Sequence, residues 1–251
     1  MIDIHTHILP NIDDGAQTIE ESVEILKKAL DEGVKAIVAT PHVLEVPSEC
    51  DWQRVRDVFN SLKQALISEK IDIEIILGAE LFISPDLPQM IKQNRELTVN
   101  NGNRYVLLEL PVQEIPPFTE QTIFELLVQE IVPIIAHPER YLEIQKDTNK
   151  LFDLVKRGVL TQVNSGSLMG RYGRKVQRTA KNLLYYNLVH MIGSDVHSIP
   201  NGSYPLYQGV NIAAEVVGIE RAKEMVTSIP EKVINGDIIE VSRPQIVKRM
   251  I

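Results

Sequence analysis

His5 and His7 stand two residues apart near the start of the chain, and Asp195 and His197 repeat that spacing 190 residues later. Between them His42, Glu80, Glu109 and His137 each close a short β-branched run, and Asn164 closes another. Imidazole and carboxylate are the side chains that hold divalent ions in hydrolytic centres. Scattered core histidines would not fall at the ends of successive apolar runs, whereas an αβ barrel builds its active site from the carboxyl ends of its strands. With Asp14 there are nine candidate ligands: His5, His7, Asp14, His42, Glu80, Glu109, His137, Asp195 and His197. One catalytic ion takes about three to five protein ligands and keeps room for water, so two or three ions are expected. A carboxylate such as Glu80 or Asp195 can bridge two cations and imidazole cannot, which points to a multinuclear centre and hydrolytic chemistry. On a regular strand His5 and His7 lie about 7 Å apart. They can grip one ion only if the strand end is twisted or irregular.

Neither H-x-H nor D-x-H is specific alone; their force comes from sharing one chain at successive strand ends. His190 lies inside a run rather than at its end, and a structural or surface role is expected for it. Asn164 could orient a substrate or satisfy a turn, with the turn preferred.

The elements that position these residues alternate. Strands are expected at residues 2–5, 35–40, 71–80, 105–110, 132–137, 160–164 and 189–195, and helices at 18–32, 51–69, 119–130, 148–157 and 174–186. Thr18 and Glu21 form a capping box, and Gly33 stops the first helix. Strand, helix, strand in this order implies parallel pairing with helices outside. From about residue 211 the pattern reads as two or three short helices with a stop at Asn235-Gly236, and the basic end at 240–251 is expected to pack on the body or on a neighbouring subunit.

At 251 residues with 44% hydrophobic content the chain can bury a substantial core, and a single domain spanning 1–251 is expected. A formal charge of −8 without a long basic run argues against a general nucleic-acid binder. One cysteine, Cys50, excludes an intramolecular disulfide framework. The first residues lack the basic and apolar regions of a signal peptide, and no apolar run approaches the ~20 residues of a membrane span. A cytoplasmic location without membrane insertion is the expectation.

The combination of His5-Thr6-His7, Ile12-Asp13-Asp14-Gly15, Thr40-Pro41-His42, Gly78-Ala79-Glu80, Leu108-Glu109, Ala136-His137-Pro138-Glu139-Arg140 and Ser194-Asp195-Val196-His197 resembles the polymerase and histidinol phosphatase (PHP) superfamily. Within it the chain is similar to the CpsB/YwqE type, the manganese-dependent tyrosine phosphatases of Gram-positive capsule and exopolysaccharide loci. The resemblance runs from residue 1 to about residue 200. It implies an α/β fold, a distorted TIM-like (β/α)7 barrel, holding three divalent ions, most readily Mn²⁺, with Fe, Co or Zn as alternatives. Carried over by motif, His5, His7, Glu80 and Asp195 hold the first ion, Glu80, Glu109 and His137 the second, and Asp14, His42 and His197 the third. Arg140 takes the phosphate-contacting role. His42 and Asp195 join it as catalytic residues. The implied substrate is a phosphotyrosine protein, a tyrosine autokinase that controls polysaccharide assembly.

Elementary electrostatics agree. Three divalent cations against four ligand carboxylates leave a pocket near about +2, which attracts a phosphate dianion. A metal-bridging hydroxide is available at neutral pH and can attack phosphorus in line while Arg140 neutralises the equatorial oxygens. Phenolate, with a pKa of about 10, needs less help from a general acid than an alkoxide does.

Gly166, Gly170 and Gly173 with Arg171 and Arg174 read as a flexible basic loop, and Arg171 is a second candidate for phosphate binding. One departure stands out. Relatives of this branch usually carry an arginine shortly after D-x-H, where this chain reads Ser198-Ile199-Pro200-Asn201-Gly202-Ser203-Tyr204-Pro205. Cys50 to Arg56 satisfies the bare C-x5-R pattern of cysteine-dependent phosphatases, but it has no glycine to wrap a phosphate and Asp51 would raise the thiol pKa. The alternatives to a tyrosine phosphatase are a PHP phosphoesterase on a small metabolite phosphate, an amidohydrolase barrel, which commonly uses a carboxylated lysine where Glu80 and Glu109 stand, and a non-catalytic metal-binding module that docks a kinase.

Overall fold

The structure is a computed structural model, described here over residues 1–43, 52–199 and 202–248. The chain opens with β1 (Ile2–Thr6), α1 (Ile19–Asp31), β2 (Ala36–Ala39), β3 (His42–Val43), α2 (Trp52–Ser68), β4 (Glu74–Leu77), β5 (Glu80–Phe82) and α3 (Leu87–Gln93). It continues with β6 (Tyr105–Glu109), α4 (Thr119–Val128), β7 (Val132–Ala136), α5 (Leu142–Lys146), α6 (Asn149–Lys156), β8 (Leu160–Asn164), α7 (Ser165–Leu168), α8 (Arg174–Tyr185) and β9 (Met191–Gly193). Three helices follow: α9 (Leu206–Val217), α10 (Ile219–Glu224) and α11 (Ser228–Asn235).

Every strand pairing is parallel. One sheet runs β1-β2-β4 and the other β3-β5-β6-β7-β8-β9. The two are parts of one wall. The strand expected at 35–40 stops at Ala39 and resumes as β3, because Pro41 has no N–H to continue a ladder. The strand expected at 71–80 likewise divides at Gly78-Ala79 into β4 and β5. Counting each broken pair once gives seven strands around the ring. Closure comes from β1 meeting the end of β9: Asp195 N–H donates to His5 O at 2.9 Å, and His7 N–H to Val196 O at 2.9 Å. The wall is therefore the expected (β/α)7 barrel.

Alternation along the strands divides the apolar side chains into two layers. Ile4, Val38, Ile76, Leu107, Ile134 and Met191 fill the barrel, where Ile229 and Val233 of α11 join them. Ile37, Ile75, Val106, Ile135, Val163 and Ile192 face outward into the helical layer. An apolar plug thus lies beneath the residues at the strand ends. Thr18 caps α1 through Glu21 N–H, Gly33 follows with φ of +83°, and Gly236 ends α11 in the left-handed region.

The C-terminal helices begin at Leu206, earlier than the expected residue 211, because Pro205 starts the turn. Past them the chain packs on the body: Gln245 N–H donates to Tyr186 O at 2.9 Å, and Val247 N–H to Asn149 Oδ1 at 2.9 Å. Among the described residues, no helix is long and apolar enough to cross a membrane.

Candidate metal centre

The pairing of β1 with β2 shifts register between Asp3 and Thr6. Ile4 therefore belongs to the barrel interior, while the next residue, His5, already joins the rim with His7. This is the irregularity that two histidines on one strand require. Their Nε2 atoms come within 3.2 Å of each other, and within 3.0 and 3.2 Å of Glu80 Oε2. Asp195 Oδ1 stands 3.4 Å from both. Behind the rings, His5 Nδ1 meets Gln162 Oε1 at 2.8 Å and His7 Nδ1 meets Asp13 Oδ2 at 2.7 Å. With Nδ1 occupied, the two Nε2 atoms converge on one carboxylate oxygen, a set that calls for protons or a cation between its members.

The other strand ends complete the ring. His137 Nε2 lies 3.1 Å from Glu80 Oε1 and 3.7 Å from Glu109 Oε1. His42 Nδ1 is 3.3 Å from Glu80 Oε2, and its Nε2 is 3.7 Å from Asp14 Oδ1. His197 Nε2 approaches the same Asp14 oxygen at 3.2 Å while its Nδ1 donates to Asp195 O. Ligand atoms gather in three overlapping groups: His5, His7 and Glu80; His42, Glu80 and Glu109; and His7, Asp14, His42 and His197. Glu80, His7 and His42 each serve two groups. The strand ends reach this geometry by turning sharply, since His137 and Asp195 both have positive φ, at 32° and 53°. Such backbone is strained for a residue with a Cβ and gathers at functional sites.

Opposed charges hold the cluster without an ion. Burial pulls the His5 imidazole towards neutrality, but the Glu80 and Asp195 carboxylates overcome it and raise its pKa to about 9. Burial is likewise outweighed at His7, where Asp13, Asp195 and Glu80 hold the proton well above the ordinary range. Against burial, the His5 charge keeps Glu80 and Asp195 well below the usual carboxylate range. The His7 partner lowers Asp13 to about 2 despite burial. At Glu109, burial and then the neighbouring Glu80 charge push the carboxyl up. Divalent ions would replace these protons as the positive counterpart.

A cavity of about 520 Å³ opens over the cluster, lined by Asp14, His42, Glu80, Glu109, His137, Asp195 and His197 together with Arg140, Ile12 and Phe82. Arg140 sits in the turn after β7, donates from Nη1 to Asp195 Oδ2 at 3.0 Å, and packs its guanidinium 5.0 Å from the Tyr172 ring centroid. Arg171, one residue earlier, is exposed and does not line this cavity. The loop expected at 165–174 is less open than its glycines imply: its start is the buried turn α7, and only residues 171–174 are solvated. The Cys50-Asp51 start of the C-x5-R stretch lies outside the described residues, as do Pro200 and Asn201. No arginine after His197 lines the cavity among the described residues; Tyr204 instead turns inward, and its hydroxyl donates to Asp3 Oδ2 at 2.6 Å. His190 is buried, with Nδ1 accepting from Thr161 N–H, which is the structural role expected of it.

Asn164 stands at the turn from β8 into α7, as the N-cap residue, without a side-chain cap bond. Its side-chain amide donates to Asp195 Oδ2 at 2.6 Å in full burial. Asp13, Gln162, Phe82 and Tyr204 also act at or behind the site without having been singled out from the sequence. Only Asp13 carried a local signal. Its carboxylate accepts from Gly15 N–H two residues on, the turn that Asp-x-Gly favours.

A family model described as capsular polysaccharide synthesis, CpsB/CapC, matches residues 1–235. A CapC protein of Staphylococcus aureus is 39% identical over 211 residues, covering 84% of this chain and 82% of the relative. The tyrosine-protein phosphatase YwqE of Bacillus subtilis is 32% identical over 249 residues, covering 99% and 97%. A solved structure from work on YwqE of B. subtilis and CpsB of Streptococcus pneumoniae, described as metal-dependent tyrosine phosphatases, superposes with a TM-score of 0.92 at 32% identity, covering 99% of this chain and all of that one. A histidinol phosphate phosphatase of Lactococcus lactis, 14% identical with a TM-score of 0.52 and covering 98% of each chain, shares the fold. The chain belongs to the CpsB/CapC family of capsular polysaccharide synthesis.

Proposed function

We propose that this chain is a metal-dependent tyrosine phosphatase whose substrate is a phosphotyrosine protein, a tyrosine autokinase that governs polysaccharide assembly. The observation that carries the reading is the convergence of nine imidazole and carboxylate side chains under one open cavity walled by an arginine. Three divalent ions fit the donor set. His5, His7, Glu80 and Asp195 would hold the first, Glu80, Glu109 and His137 the second, and Asp14, His42 and His197 the third. Such ions supply Lewis acidity and bring the pKa of water towards neutrality. Nitrogen and oxygen donors without thiolate suit Mn²⁺, Fe²⁺, Co²⁺ or Zn²⁺, with Mn²⁺ the favoured ion by likeness to the family.

The protein's own groups do the rest. Arg140 is half-buried and presents a planar fork to phosphate oxygens. On phosphate binding its tie to Asp195 is shared with the dianion. Ile12 and Phe82 make the apolar part of the wall, suited to the ring of a phenolic ester. The experiment is phosphate release from a phosphotyrosine peptide with Mn²⁺ added, beside EDTA-treated and His5→Ala controls. Metal-dependent release lost in both controls supports the reading. No release from protein shown to bind metal sinks it, and leaves the small-metabolite ester and the docking module to be tested.

A further inference from the structure

Behind the metal cluster, two neutral amides on β8 join two ligands that come from opposite ends of the chain. Asp195 Oδ2 lies 2.6 Å from the Asn164 side-chain amide, and Gln162 lies 2.8 Å from Asn164 on one side and 2.8 Å from His5 Nδ1 on the other. All four side chains are buried. Their hydrogens can be assigned from chemistry alone. A carboxylate oxygen only accepts, so the Asn164 atom facing Asp195 is its NH2 group. Its carbonyl oxygen then faces Gln162, whose nearest atom must in turn be NH2. That leaves the Gln162 carbonyl towards His5, and His5 Nδ1 carries the hydrogen between them. Every donor points the same way, from His5 to Asp195.

We propose that Gln162 and Asn164 form a one-way amide relay that selects which atoms of His5 and Asp195 face the metal, and that both are positioning residues for the reaction. At one end the relay holds the hydrogen on His5 Nδ1, so that Nε2 faces Glu80 and His7 as the atom an ion would meet. At the other, Asn164 and Arg140 both donate to Asp195 Oδ2 and leave Oδ1 for the ion. The scaffold is shaped to admit this path. Glu139 Oε1 accepts from Asn164 N–H at 2.9 Å, so Asn164 is held by backbone and side chain. A Cβ on Gly193 would lie 2.8 Å from Gln162 Nε2 and 2.9 Å from His5 Cβ, so only glycine leaves room for the amide to pass. Partners behind metal ligands commonly change metal affinity by about 10- to 100-fold when removed.

The proposal rests on the metal-dependent reading of the site, and its test is read from metal binding, so it stands or falls without any turnover. The probes are Gln162→Glu and Asn164→Asp, which keep shape and replace a donor by an acceptor at two different links. In Gln162→Glu the carboxylate still accepts from His5 but has no hydrogen for Asn164. Asn164 must flip and turn its oxygen on Asp195. Zn²⁺ affinity, measured by competition with a chelating dye, is expected to fall about 10- to 100-fold in each variant, with a changed visible spectrum after Co²⁺ loading and an unchanged far-UV spectrum. If the parent hydrolyses p-nitrophenyl phosphate, kcat at saturating metal falls while KM stays within about twofold, since neither amide lines the cavity. Affinity and Co²⁺ spectrum at parental values in both folded variants overturn the relay.

Discussion

Replacing Gly15 by alanine should disable the metal centre without unfolding the barrel. A Cβ at residue 15 would stand 2.0 Å from His7 O and 2.6 Å from His7 Cβ, where contacts below 3.0 Å do not occur. A carbonyl oxygen and a Cβ are fixed by the backbone and cannot swing away, so the loop must yield by about 1 Å. That loop carries Asp13 and Asp14. A 1 Å retreat takes the Asp13 to His7 hydrogen bond from 2.7 Å beyond bonding reach and pulls Asp14 away from His197, now 3.2 Å off. Loss of a carboxylate behind a metal-bound histidine costs about 10- to 100-fold in metal affinity, and a misplacement of this size costs about 100-fold in rate. The assay is the Mn²⁺ dependence of phosphatase activity in parent and Gly15→Ala, with a urea titration to confirm that both fold. The variant should need at least tenfold more Mn²⁺ and remain slower at saturation. Half-saturation within twofold of the parent, at an equal rate, would refute the argument that this loop sets the geometry of His7 and Asp14.

Phe82→Ala should raise KM for aryl phosphates about 2- to 10-fold, the range of one aromatic contact, and leave alkyl phosphates within twofold; equal losses on both substrate types would show that the phenyl ring does not read the ester. Tyr204→Phe removes the hydroxyl that donates to buried Asp3 at 2.6 Å, so it should lower stability by about 1 to 3 kcal/mol, visible as a reduced urea midpoint with metal affinity retained. An unchanged midpoint contradicts it. His190 is held neutral, its pKa lowered by burial to about 3 from 6.5. A histidine depressed in the fold contributes its stability above pH 6.5 and loses it as pH falls towards the folded value, here at about 1.4 kcal/mol per unit. In metal-free protein, His190→Gln should therefore flatten the decline in stability between about pH 6.5 and 4; parallel parent and variant curves across that window exclude the effect.

The candidate ligands were open to sequence reasoning because all but Asp14 stand at or near the end of an apolar run that makes a strand. Barrel topology then brings all strand ends to one rim whatever the loops between them do. Helix limits at Thr18, Gly33 and Gly236 were legible for the same kind of reason, since caps act over a few neighbouring residues. The interruptions at Pro41 and Gly78-Ala79 were harder: apolar character runs through them, and whether a strand is continuous depends on the register of its neighbours. The inward turn of Tyr204 has no local signal, because its partner Asp3 is 201 residues away. The side-chain tie of Asn164 is not legible in the sequence because its partner, Asp195, is 31 residues away, nor is that of Gln162, whose partner His5 is 157 residues away. Metal-binding character thus belongs to residue type and local spacing, which a linear chain displays. The hydrogen on His5 Nδ1 and the choice of Asp195 oxygen that faces the histidines belong to contacts that exist only when β1, β8 and the end of β9 close the ring.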